Sequence, residues 1–230
     1  MTTSRERVVN ALNFEPVDRI PRDLWLPPES MSRRRDELDE LLLRFPSDFE
    51  RPSGFYPSGK RSSGDRKTPG AYTDAWGCTW EISHTDGSAA LLRPAITSKK
   101  QLRTYEPPIE VVKKLDTTAV DEVAAESSRF VLPWTDISLV RRIVALVGEE
   151  RFQTEIRDSS SEIFGLIEAV DAYNTAEIEK WAESNVDGIM LVDDWADSNR
   201  LKLPLGVLRN HIFPRLAQYS DMLAGADKFV

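Results

Sequence analysis

The sequence predicts an α/β protein, and three observations carry that prediction. Residues Val186-Asp187-Gly188-Ile189-Met190-Leu191-Val192 form a short apolar run ending abruptly in Asp193, Asp194 and Trp195, the pattern of a buried parallel strand with polar groups at its carboxyl end. Before it, Ile163, Leu166, Ile167, Val170, Ile178 and Trp181 recur at helical spacing, and Ser159 with Glu162 fits a capping box. After it, Val207, Leu208, Ile212, Leu216, Tyr219 and Leu223 repeat the helical pattern. In α/β folds the loops after strand carboxyl ends hold the ligand, so Asp193 and Asp194 stand where chemistry is expected.

The elements follow in order from the amino terminus. Thr3 and Glu6 are spaced as a capping box for a short helix carrying Val8, Val9 and Leu12, which ends before Pro16. Residues 18 to 25, from Asp18 to Trp25, read as a first strand with Pro21 suited to its start. Residues 31 to 45 read as a helix with Leu38, Leu41, Leu42 and Phe45 on one side and the charges of Arg33 to Asp39 toward water. From residue 46 to 72, prolines 46, 52, 57 and 69 are interleaved with glycines 54, 59, 64 and 70, the composition of a long loop. That loop is either a mobile solvent segment or a lid whose Tyr56, Lys60, Arg61, Arg66 and Lys67 cover an acidic substrate. Residues 76 to 84 and 89 to 93 flank Thr85-Asp86-Gly87-Ser88, and Asp-Gly between extended runs signals an antiparallel hairpin. The hairpin, near residues 76-93, reads as a flap that Trp76 and Trp80 pack down. A helix near residues 108 to 127 follows, then a core strand at Phe130-Val131-Leu132-Pro133-Trp134. A further helix through Val140, Ile143, Val144 and Val147 stops at Gly148. Lys228-Phe229-Val230 begins another strand.

Composition narrows the function classes. The formal charge is −8 over 230 residues, and the basic residues are scattered rather than gathered in a stripe, which argues against a nucleic-acid partner. No apolar run approaches the roughly 20 residues of a membrane span, and the amino terminus lacks the apolar core of a signal peptide. The single cysteine, Cys78, excludes an intramolecular disulfide, and the chain reads as cytoplasmic. Cys78 and His84 share one face of a predicted strand, but lie about 20 Å apart if it is extended, too far for one metal. His211, on a predicted surface helix, reads as structural. The chain reads as one domain with about four core strands, whereas an eight-stranded barrel takes about 250 residues. An unfinished parallel sheet exposes unpaired edges, so the expectation is the amino-terminal portion of a longer protein.

Several motifs also carry a resemblance. Arg5-Glu6-Arg7 with Ala11-Leu12, Pro16-Val17-Asp18-Arg19-Ile20-Pro21, Asp74-Ala75-Trp76-Gly77-Cys78-Thr79-Trp80, and Val186-Asp187-Gly188 through Asp193-Asp194-Trp195 with Phe213-Pro214 resemble, in order and spacing, the uroporphyrinogen decarboxylase superfamily. The resemblance spans nearly the whole chain and implies a (β/α)8 TIM barrel, here a partial one, with a cleft at the strand carboxyl ends. It implies either a tetrapyrrole decarboxylase or a corrinoid-dependent methyltransferase. The haem-pathway decarboxylase follows its first-strand Trp with an arginine-rich clamp, whereas Trp25 is followed by Leu26-Pro27-Pro28-Glu29-Ser30-Met31. A polyacidic substrate needs cations in fixed geometry, so the missing clamp argues against uroporphyrinogen, and Trp76-Gly77-Cys78 with Asp193-Asp194-Trp195 resemble the methyltransferase branch better. That branch holds zinc through a His-x-Cys pair and a later Cys. The implied ligands would lie beyond residue 230, so no cofactor is expected within this chain and zinc is expected only in a longer one.

The expected site is then Asp193 and Asp194 as acids, with Trp25, Trp134 and Trp195 walling a small flat substrate, either a tetrapyrrole or a methylated compound. A corrinoid protein is the implied partner. Adjacent side chains on an extended backbone point oppositely, so one aspartate faces the cleft. In an apolar pocket lined by Trp25 and Trp134 its pKa is expected to rise. The alternatives are that one aspartate caps the next helix or pairs with Arg200 while the other faces solvent, and that the tryptophans are core residues. A third reading, from another class, is an inactive fragment or a pseudo-enzyme that folds only with a partner.

Overall fold

The computed structural model describes residues 2–26, 34–85, 87–196 and 198–230. Helix α1 (Ser4–Leu12) begins at the predicted capping box: Thr3 accepts from the Glu6 amide and Glu6 accepts from the Thr3 amide. Residues 18–25, expected as a first strand, form no strand: one backbone bond, from the Asp48 amide to the Arg22 carbonyl, ties them to the next segment, and the Asp18 and Arg19 side chains are engaged by Arg7 and Asp48 instead. Helix α2 (Arg35–Arg44) buries no residue, so its apolar stripe is largely open. The start of the predicted helix, and the segment after Leu26 where a clamp was sought, lie outside the described residues.

Parallel pairing forms an open row. Strand β1 (Phe49–Glu50) pairs with β5 (Phe130–Val131), with Phe49 opposite Phe130. The row continues through the parallel bridges Trp134 to Met190 and Gly188 to Phe229. Residues 186–190 therefore lie in the row, with Val186 and Ile189 fully packed. The described residues form a mixed α/β fold with small sheets and no closed barrel. One reason the ladder is short is that side chains take ladder donors: the Asp187 carboxylate accepts from the Val131 amide at 2.7 Å.

Gly188 allows the row to close up here, because a Cβ would sit 2.9 Å from the Phe229 carbonyl oxygen and 3.3 Å from the Phe130 ring. Gly188→Ala is expected to destabilise the fold by about 1–3 kcal/mol, the usual range for overpacking, and chemical denaturation would measure it. A wild-type midpoint would show that the Phe229 segment yields freely.

The second sheet is antiparallel, in the order β2 (Gly70–Thr73), β3 (Thr79–Ile82), β4 (Ala89–Arg93). The hairpin between β3 and β4 agrees with prediction, with Ile82 opposite Ala89, although Asp86 lies outside the described residues. Strand β2 belongs to the segment expected to be loop. It forms because Asp74 folds the chain back: its Oδ1 accepts from the Cys78 amide at 2.9 Å, its Oδ2 accepts from Trp80 Nε1, and Gly77 takes a positive φ of 87°.

The helical layer is more divided than predicted. Helix α3 (Lys99–Thr104) is capped by Ser98, and the stretch expected as one helix is two, α4 (Ile109–Lys113) and α5 (Thr118–Glu126). Asp116 makes the break by accepting from both the amide and the hydroxyl of Thr118. Helix α6 (Val140–Val147) stops at Gly148 as predicted, and α7 (Glu149–Arg157) follows directly.

The long α8 (Ser161–Ala182) is capped by Ser160 rather than Ser159, which takes a positive φ. Its Ile163, Leu166, Ile167, Val170, Ile178 and Trp181 are buried, so the helical spacing named the core face correctly. The last helical stretch begins with one turn, α9 (Leu205–Val207), widens into a π-helical turn at Leu208–Ile212, and continues as α10 (Phe213–Ala224). Tyr219 locks α10 to α8 by donating to Asp171 at 2.6 Å. No helix among the described residues is long and apolar enough to cross a membrane.

Candidate functional site

The two ends of the parallel row have different chemistry. At the amino end, Asp48 is fully buried and accepts from Arg7 Nη1 and Arg19 Nη1, each at 2.6 Å, and from the Ser4 hydroxyl and Arg22 amide, each at 2.7 Å. Burial opposes its charge, but these bonds prevail and hold its carboxyl below the ordinary range. Arg7 also grips Asp18, and Arg5 pairs with Asp187 at 3.0 Å. Arg5, Arg7, Asp18, Arg19 and Asp187 all belong to the motifs singled out in the sequence, and all of them tie α1 to the strand starts.

At the carboxyl end sit Trp25 and Trp134, 47% and 44% exposed, with ring centroids 4.7 Å apart. The guanidinium of Arg51, just past β1, lies 4.9 Å from the Trp25 ring centroid and pairs with Asp23, which also accepts from Trp25 Nε1. The structure thus brings together two of the three predicted tryptophans and adds Arg51 and Asp23, which sequence reasoning did not single out. Trp195 stands against Phe213 instead, with centroids 5.6 Å apart, and its buried Nε1 has no hydrogen-bond partner among the described residues.

The two predicted acids have different surroundings. Asp193 accepts from the amides of Leu139, Val140 and Arg141 at 3.0, 3.0 and 2.8 Å, so it caps α6 from across the row. Asp194 is half-exposed and pairs with Lys202. The capping alternative is therefore realised on the helix that precedes the aspartate in sequence, where adjacency gives no hint of it.

A buried polar cluster lies behind this mouth and was not anticipated. Glu177 on α8 is 1% exposed and accepts from the Tyr56 hydroxyl and, at 3.2 Å, from Trp181 Nε1. Burial pushes its carboxyl up to about 7, against the lowering effect of those two bonds. The Tyr56 oxygen in turn accepts from the Asp136 amide at 2.9 Å, in the loop that follows Trp134. Neighbouring Phe55 packs edge-on against Trp181 at 4.8 Å. The segment after β1 is thus seated on α8 through two aromatic anchors. The signal available was Glu177 itself, four residues before Trp181 on the core face, a charge where the pattern wants an apolar group.

Two shallow clefts lie elsewhere, between the antiparallel sheet and α3 and between α3 and α8. Arg61, Trp76 and Tyr105 line the first, and Arg103, Glu162 and Leu166 the second. Arg61 belongs to the segment expected as a lid or solvent loop, and neither cleft is lined by Asp193, Asp194, Trp25, Trp134 or Trp195. The described residues hold no cluster of three or more His, Cys, Asp or Glu side chains fit to bind a metal. Cys78 is buried, contacts the Ala145 carbonyl at 3.3 Å, and has its thiol pushed up to about 12 by burial, while His84 is exposed. That pair does not fit zinc.

No protein-family model matches the chain, and no curated protein matches it. Among solved structures, a methyltransferase from Methanosarcina mazei is similar in fold, with a TM-score of 0.64 at 14% identity. The alignment covers 97% of this chain and 68% of the methyltransferase.

Proposed function

We propose that this chain is a methyltransferase-like enzyme of the uroporphyrinogen decarboxylase superfamily, cytoplasmic, with its parallel row arranged as part of a (β/α)8 barrel. A small methylated substrate binds at the carboxyl end of the row, against Trp25 and Trp134, and a corrinoid protein is the methyl-carrying partner. The observation that carries this reading is the half-exposed tryptophan pair at the strand ends of a fold shared with a methyltransferase. Asp194 orients the substrate, and Asp193 positions the loop that presents Trp134, while Trp195 packs on Phe213 instead of walling the substrate. No step is assigned to zinc, because the described residues offer no ligand set for it. Tetrapyrrole decarboxylation is less favoured, because Arg51, the cation found at this mouth, is already paired with Asp23.

Two measurements test this. Tryptophan fluorescence during titration with methylcobalamin and with methylated thiols should change saturably, and Trp134→Ala should weaken binding by about tenfold or more, the scale of one lost aromatic contact. Methyl transfer from methylcobalamin to an added thiol should be detectable and should fall in Asp194→Asn. Carbon dioxide release from uroporphyrinogen, or Trp134→Ala binding as wild type does, would overturn the reading.

A further inference from the structure

We propose that Glu177 and Tyr56 form a pH-sensitive latch that, while Glu177 is protonated, holds residues 51–66 against the body of the fold and fixes the loop presenting Trp134. Three geometric facts carry it. Glu177 is buried with no ion-pair partner among the described residues, and both hydrogen bonds to it go to Oε1, an acceptor that a neutral carboxylic acid also provides. Tyr56 is the only hydrogen-bonded link, among the described residues, between Glu177 and the loop after β5, through the Asp136 amide. That loop carries Trp134 and is also tied by the Thr135 hydroxyl to the Met190 carbonyl, by Asn174 to the Ser138 carbonyl, by the Leu139 amide to Asp193, and by the exposed ion pair of Asp136 with Arg66 at 3.6 Å.

The groups whose charge reaches Glu177 do not cancel its burial. Asp136, from the loop, disfavours ionisation, and Arg142, from α6, favours it, but Arg142 is committed to Asp74 at 3.3 Å. Tyr173, on α8 itself, and Tyr56 remain neutral hydroxyls, with ionisation pushed upward by burial. Glu110, on α4, adds to the negative charge that keeps Tyr173 neutral. With its carboxyl raised to about 7, Glu177 ionises within the physiological range, and the buried charge then favours opening of the segment to water. The sign follows from linkage: an acid raised by folding keeps its full contribution below its ordinary value of 4.5 and loses it as pH climbs through about 7.

Hydrogen exchange on residues 51–66, corrected for intrinsic rates, tests the latch at pH 5.5 and pH 8.5. Wild type should lose about tenfold or more of its protection at the higher pH, the linkage expected for more than one unit beyond the ionisation point. Glu177→Gln should stay protected at both, because its amide oxygen still accepts from Tyr56 and Trp181. Tyr56→Phe, which keeps the ring, should already be unprotected at pH 5.5. Equal wild-type protection at the two pH values, an unchanged pH step in Glu177→Gln, or wild-type protection in Tyr56→Phe would each overturn the proposal. The role of the latch in presenting Trp134 rests on the proposed ligand site, whereas exchange on residues 51–66 needs no ligand. A pH step without ligand binding would therefore sink the site and leave the latch standing.

Discussion

Asp48→Ala will destabilise the fold by about 3–5 kcal/mol, the penalty for stripping a buried cation of its partner. Arg7 is nearly as buried as Asp48 and would keep the half-exposed Asp18 as its one carboxylate, besides the Thr2 carbonyl at 3.3 Å. Arg19 and the amide of Arg22 would lose their acceptor as well. A domain of this size retains only about 5–15 kcal/mol in total, so this one change removes about a fifth of it or more. Because folding depresses the Asp48 carboxyl, its contribution is present above the ordinary value of 3.8 and is lost as pH falls through the folded value. Urea unfolding at pH 7 and pH 3 would therefore show a gap between wild type and Asp48→Ala that narrows on acidification. A loss below about 1 kcal/mol at pH 7, the scale of a surface pair, would mean that the Arg7 and Arg19 charges are solvated rather than paired.

That network explains which parts of the molecule could be read in advance. The apolar spacing of α8 and α10 was legible because burial alone selects those positions, and the capping box at Thr3 and Glu6 was legible because both partners lie within one turn. The motif from Pro16 to Pro21 was visible as a pattern but not as a role. Asp18 and Arg19 act on Arg7 and on Asp48, which is 29 residues beyond Arg19, and no local rule encodes that pairing. Strand β2 was hidden for a similar reason: its turn is built by Asp74 bonding forward to Cys78 and Trp80 in a stretch whose glycines and prolines suggest loop. Of the site, Trp134 was placed at a strand end by the alternation of elements, whereas Trp25 was placed at the end of a strand that does not form. Tyr56 was named only as a residue of a possible lid and Arg51 not at all, since their partners Glu177 and Asp23 lie on other elements.

Asp193→Ala will cost about 2–3 kcal/mol, because it leaves the amino end of α6 without its charged acceptor. That helix begins at a leucine with no capping side chain of its own, and the amides of Leu139, Val140 and Arg141 all point at the Asp193 carboxylate. Leu139 and Val140 are fully buried, so water cannot replace the lost oxygen without opening the core that Ile143 and Leu146 complete. Asp193→Asn keeps one carbonyl oxygen and should lose about half as much, since only the charge-assisted part of the cap is removed. Asp194→Ala breaks only a half-exposed pair with Lys202, and its melting temperature should stay near wild type, within the 1 kcal/mol scale of surface ion pairs. Thermal melts beside ligand titrations then separate the two aspartates. Asp193→Ala should lose stability first and binding only as the Trp134 loop loosens, whereas Asp194→Ala should lose binding at unchanged stability. If Asp193→Ala melted like wild type, the α6 amides would have found another acceptor, and its role at the strand end would revert from cap to free carboxylate.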